Sequence, residues 1–182
     1  MPDARVKEIL DFWFAPGAEA RWFESDAAFD GEIEARFRAD HERAAAGTLT
    51  GWESSPEGAL ALVILLDQFP RNMFRGGARA YATDDAALAA AERAIANGFD
   101  PTLPAARRKF LYVPFQHAES LDRQRRSVEL CRGLGEPKTL DHAERHLRVI
   151  ERFGRFPHRN LTLGRTSTPE EAAFLAGPDA PY

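Results

Sequence analysis

Arginine, asparagine and histidine crowd two short segments of this chain, and each crowd surrounds a Phe-Pro pair. The first segment is Asp67-Gln68-Phe69-Pro70-Arg71-Asn72. The second is Arg152-Phe153-Gly154-Arg155-Phe156-Pro157-His158-Arg159-Asn160. Proline fixes its own φ and pushes the residue before it toward extended backbone, so each pair is expected to end an apolar helix and turn the chain. The side chains that follow then splay outward. Arg71, Arg155 and Arg159 carry planar guanidinium forks that hold phosphate or carboxylate oxygens bidentately. Asn72 and Asn160 suit turn positions and can satisfy the last carbonyls of a helix. Capping needs one or two such groups, and Arg152, Arg155, His158, Arg159 and Arg165 exceed that need. The excess points to a pocket for a small anionic ligand, with His158 placed for general acid or base work.

Asp67 is badly placed for a lone carboxylate. In the last turn of a helix it meets the negative end of the macrodipole, at a cost of about 0.3–1 kcal/mol when exposed. It therefore needs a cationic partner, and Arg71, Arg155 and Arg159 are the candidates. Such a pair is either a structural tie between the two Phe-Pro segments or the means by which Asp67 orients a catalytic His or Arg. His117 follows Pro114-Phe115-Gln116, and the pattern places it just before a helix beginning near Ala118. The positive end of that helix would hold the imidazole neutral and able to accept a proton. Glu119 is either its acid–base partner or an ordinary first-turn acid.

His142 and His146 have the i, i+4 spacing of helical metal ligands. His146 falls inside the apolar arc of Leu140, Ala143, Leu147, Ile150 and Phe153, where a hydrogen-bonded core histidine is expected. Residue 143 is Ala, not the Glu of a zinc-protease motif, and no metal site is assigned. No cofactor is expected either: Arg75-Gly76-Gly77 lacks the lysine, spacing and preceding strand of a phosphate loop. Cys131, the single cysteine, reads as packing and leaves no disulfide framework.

The elements that must position these groups read as helices almost throughout. Val6, Ile9, Leu10, Trp13 and Phe14 form an i, i+3, i+4, i+7, i+8 stripe. Ser25 or Asp26 can cap a helix carrying Phe29, Ile33 and Phe37. Ser55-Pro56-Glu57 combines a capping hydroxyl, Pro at the first helical position and an early acid. Ala59 to Leu66 is apolar on every side, marking a central buried helix. Thr83 opens an Ala-rich helix ending at Asn97-Gly98, and Pro104 to Val113 reads as another that Pro114 breaks or kinks. Helices from about Ala118 to Arg132 and from a Thr139 cap to Phe153 follow. Thr168-Pro169-Glu170-Glu171 matches the capping box. Trp13, Phe14, Trp22, Phe23 and Trp52 keep helical spacing among apolar neighbours, so core packing is expected of them, not base stacking. Strand patterns are absent.

Composition narrows the function classes. Hydrophobic residues at 44% and charged residues at 29% of 182 suit one soluble domain covering residues 1–182. Residues 1–101 carry 10 basic and 18 acidic side chains, whereas residues 102–165 carry 14 and 7. The basic stretch can serve an anionic ligand or attract the acidic one; the overall charge of −4 argues against nucleic acid. Met1-Pro2-Asp3-Ala4-Arg5 lacks the apolar core of a signal peptide, and no run approaches the ~20 residues of a membrane span. A cytoplasmic location is expected.

These motifs resemble, over nearly the whole chain, the bacterial family catalogued as domain of unknown function 924. The matching pieces are Leu10-Asp11-Phe12-Trp13-Phe14, Leu66 to Gly76, Phe110 to Glu119, and Arg152 to Asn160 with Leu163-Gly164-Arg165 and Ser167 to Glu171. The resemblance implies an all-helical, tetratricopeptide-like arrangement and supplies no activity, cofactor or partner. His146 matches a position of the family pattern and joins the ligand-binding set; His142 does not. The expected fold is thus all-α: about eight helices in antiparallel hairpins, forming a right-handed bundle or short solenoid. The expected function is a polar pocket for a phosphate or carboxylate, with Asp67, His117, Glu119 and His158 as catalytic candidates and Arg71, Asn72, His146, Arg155, Arg159 and Asn160 as ligand-binding ones. The alternative is a non-catalytic module whose helical groove binds a peptide or protein partner.

Overall fold

Short polar side chains set where the helices start. Asp3 accepts from the Arg5 amide and opens α1 (Ala4–Trp13). Asp26 accepts from the Ala28 and Phe29 amides ahead of α2 (Ala27–Ala45), and Ser55 accepts from Gly58 ahead of α3 (Pro56–Val63). Each satisfies amides that no helix carbonyl can reach. The computed structural model describes residues 3–22 and 24–177, so Phe23 lies outside the described residues. Among those described, every regular element is helical, as the sequence pattern requires.

The chain divides into two units, Met1–Arg75 with Arg79–Pro114, and Gly76–Ala78 with Phe115–Tyr182. In the first, Ala59 to Leu66 is buried throughout, and Trp13, Phe29, Phe37, Phe69 and Phe110 form a buried aromatic cluster. Trp22 stacks on Trp13 with ring centroids 5.8 Å apart and donates its Nε1 hydrogen to the Trp13 carbonyl. Trp52 donates to Asp3. The tryptophans are therefore packing groups. Gly58 is required at its position, because a Cβ there would come within 2.2 Å of the Trp52 carbonyl oxygen.

Pro70 does not end its helix. The chain widens into a π turn over Ile64–Gln68 and continues as α4 (Phe69–Met73). The reason is local. Pro70 has no N–H for the Leu66 carbonyl, and its ring crowds that oxygen. In the wider turn Phe69 N–H reaches back five residues to Ile64. The Leu65 carbonyl then accepts from His41 Nδ1 at 2.9 Å, and the Leu66 carbonyl from the Thr83 hydroxyl at 2.6 Å. Thr83 thus serves the π turn and makes no side-chain cap for α5 (Asp84–Ala96).

Pro114 likewise lies inside a helix, α6 (Ala105–His117). The second unit begins within it and continues with α7 (Leu121–Leu134), α8 (Pro137–Phe153) and α9 (Pro169–Leu175). α7 and α8 pack as a hairpin joined through Gly135 and Glu136. Glu136, not Thr139, holds the N-cap position of α8, and Thr139 donates its hydroxyl hydrogen to the Glu136 carboxylate. α9 has the full capping box expected at Thr168 and Glu171.

Candidate functional site

Gly154 turns the chain out of α8. Its φ of 68° is left-handed, which glycine adopts without a Cβ clash, and its amide closes on the Ile150 carbonyl. The residues that follow form a continuous polar network. Phe156 N–H donates to Glu119 Oε1 at 2.7 Å, and the Phe156 carbonyl accepts from Arg165 at 3.1 Å. Arg165 grips both Glu119 oxygens, at 2.6 and 2.9 Å, and its Nε reaches Asn160 Oδ1. The Asn160 amide passes on to Ser167 Oγ and Glu171 Oε2. Glu171 holds Arg155 through both oxygens, at 2.7 and 2.8 Å.

The electrostatics follow from these contacts. The Arg155 bond, followed by the Thr168 amide, pushes the Glu171 carboxyl down to about 2. Burial raises the Glu119 carboxyl, but the bonds from Arg165 and the Phe156 amide outweigh it and leave the group below its usual range. Both acids are anions whose lone pairs are committed to the loop. Arg155, Asn160 and Glu119, expected as ligand-binding or catalytic groups, here hold the loop after α8 in place. Glu171 and Arg165 complete that frame; the capping-box motif marked Glu171 only as a helix start.

Two imidazoles pack on the buried ring of Phe156, and a third lies beside one of them. His146 meets it edge-on with centroids 5.5 Å apart, His158 lies at 5.6 Å, and the Arg159 guanidinium carbon sits 4.7 Å from its centroid. His117 is 6.3 Å from His146, ring to ring. His146 donates from Nδ1 to the His142 carbonyl at 2.8 Å, which leaves Nε2 with the lone pair. Removal from water, reinforced by the nearby His117, His142 and His158, pushes His146 down to about 4. It is a neutral hydrogen-bond acceptor at physiological pH. His117, His146 and His158 are all half-buried.

His117 is the last residue of α6, not the residue before a helix. The expectation that a positive helix end keeps it neutral is overturned, because Pro114 fails to stop α6 and α7 starts only at Leu121.

Asp67, Arg71 and Asn72 fall in the first unit. Asp67 is fully buried in the π turn and pairs with Arg71 at 3.4 Å. Arg71 also holds both oxygens of Asp84, at 2.9 and 3.0 Å, and donates to the Asp67 carbonyl. Asn72 donates to Asp30, which Arg75 grips as well. These contacts pin α4 to its neighbours.

A groove of about 680 Å³ opens elsewhere on the first unit, beside Lys7, Asp11, Phe12 and Arg36. None of the candidate residues lines it, and its charges pair with one another, Lys7 with Asp11 and Arg36 with Glu8 and Glu32. Among the described residues, no three His, Cys, Asp or Glu side chains are placed to hold a metal ion. No described helix is long and apolar enough to cross a membrane.

Residues 9–179 match the family model described as a bacterial protein of unknown function, DUF924. The chain belongs to this family. Its fold is similar to a solved structure of a protein of unknown function from Agrobacterium tumefaciens, ATU0120. The two share 48% identity, the match covers 94% of this chain and 97% of that one, and the TM-score is 0.91. The comparison with curated proteins returned no match. Family membership therefore identifies the fold, and the functional reading falls to the chemistry of the site.

Proposed function

We propose that the second unit binds a small anionic molecule, a phosphate or carboxylate, on the histidine face around Phe156. The observation that carries this reading is the pairing of His146 and His158 with one buried ring and of His117 with His146, with His146 held neutral and in a defined tautomer. Core packing alone does not call for two imidazoles on one phenylalanine and a third beside one of them. Arg159 would supply the cation, His146 Nε2 would accept from a hydroxyl or amine of the ligand, and His117 and His158 are the groups able to move a proton. Glu119 is assigned a positioning role, since it anchors the Phe156 amide and Arg165.

The reading is tested by a thermal-shift screen of phosphorylated and carboxylated metabolites on the unmodified protein, Arg159→Ala and His146→Gln. A ligand-dependent rise in Tm that both variants lose supports it. Silence across the screen, or a rise that folded variants keep in full, overturns it.

The peptide-binding alternative finds less support. The described exposed large hydrophobics are Leu161 and Leu163, two side chains of one turn, well short of the apolar patch that a docked helix requires. A cytoplasmic setting and a tetratricopeptide-like arrangement of the helices belong to the same proposal.

A further inference from the structure

Gln124 lies on the inward face of α7 in a row with Ser127, Val128 and Cys131, and it is 0% exposed. Its Nε2 donates to two backbone carbonyls, Gln116 at 2.7 Å and Ala118 at 2.8 Å. These are the carbonyls on either side of His117. α6 stops at His117, so oxygens at its end have no helix amide four residues on. A single NH2 group supplies both missing hydrogens.

The orientation of this carboxamide is forced. Turned over, it would set its own oxygen against two carbonyl oxygens. As it stands, Oε1 is buried with no hydrogen-bond partner among the described residues. An apolar side chain would avoid that orphaned acceptor but abandon both carbonyls, so the residue type follows from the two donations. The side chain of Gln116 is tied separately, to Cys131 Sγ at 3.4 Å.

We infer that Gln124 is a positioning residue for His117. By clamping the carbonyls that flank it, Gln124 sets the direction in which the imidazole leaves α6 toward His146. This inference rests on reading the histidine face as a site, but its test does not depend on a ligand.

The test uses the full chain with ¹⁵N-labelled histidine, comparing the unmodified protein with Gln124→Glu and Gln124→Met. Glu keeps the shape without the NH2 group, and Met keeps the volume without polarity. The expected result is that both variants, folded by circular dichroism, shift the ring resonances and the titration midpoint of His117 while His41 in the first unit stays unmoved. A lowered Tm with His117 unmoved would mean a merely structural clamp and overturn the inference. If neither variant folds, the carboxamide protons of the unmodified protein decide the matter: both should exchange slowly with solvent, and rapid exchange of either rejects the clamp. A silent metabolite screen would remove the site reading while leaving the His117 result intact.

Discussion

At the scale of single residues, the second unit runs on charge-assisted hydrogen bonds whose partners are far apart in sequence. Glu119 accepts from the Phe156 amide and from Arg165 across 37 and 46 positions. Glu119→Gln should lower stability by about 1–2 kcal/mol, because the new NH2 group faces a guanidinium that needs an acceptor. Urea unfolding checks this; an unchanged midpoint would mean that solvent already carries the contact. His146 makes a second residue-scale prediction. Its ¹⁵N shifts should report a neutral ring protonated at Nδ1 throughout the range in which an ordinary histidine, near 6.5, takes up its proton, since its own value lies at about 4. A midpoint near 6.5 would contradict the geometry. Much of this was legible only in part. The sequence marked Arg155 and Arg165 among the groups in excess of capping and Asn160 as a turn or capping residue, but spacing could not say that Glu119 and Glu171 would claim those two arginines.

Among the elements, the informative case is the helix that survives a proline. The Phe-Pro rule expects a stop at Phe69, yet the π turn removes the clash and two side chains take the freed carbonyls. Thr83→Val should therefore cost about 1–3 kcal/mol, the range for orphaning a buried acceptor. The same change should cost less in a Pro70→Ala background, where residue 70 regains an N–H that can reach the Leu66 carbonyl. A double-mutant cycle measures that coupling, and strict additivity would reject this account of the turn. The capping residues Asp26, Ser55 and Thr168 were readable because a cap is a contact between near neighbours. The end of α6 was not, since the carbonyls that Gln124 satisfies are reached only from the next helix.

For the whole molecule, the shifted groups dictate the course of stability with pH. His146 titrates near 6.5 when unfolded and at about 4 when folded, so between these values the unfolded chain binds more protons. Stability then falls as pH drops from 6.5 to 4. His41, lowered by burial, acts in the same direction. Glu171 is full strength above its ordinary 4.5 and loses its contribution as pH falls through about 2, which again favours unfolding in acid. Urea midpoints should decline from pH 6.5 to pH 4, and His146→Gln should flatten that limb; a flat curve in the unmodified protein would refute the assignment. By itself the sequence determined the all-helical class, the buried run from Ala59 to Leu66, most helix starts and the family, because periodicity, caps and motifs are short-range properties. Only the tertiary structure decided that the helices pass through Pro70 and Pro114, that Arg71 and Arg155 are held by carboxylates, and that His146 and His158 meet at Phe156 with His117 beside His146. Those outcomes depend on which side chains distant in the chain arrive at the same place, and hydrophobic spacing does not encode the partner of a polar group.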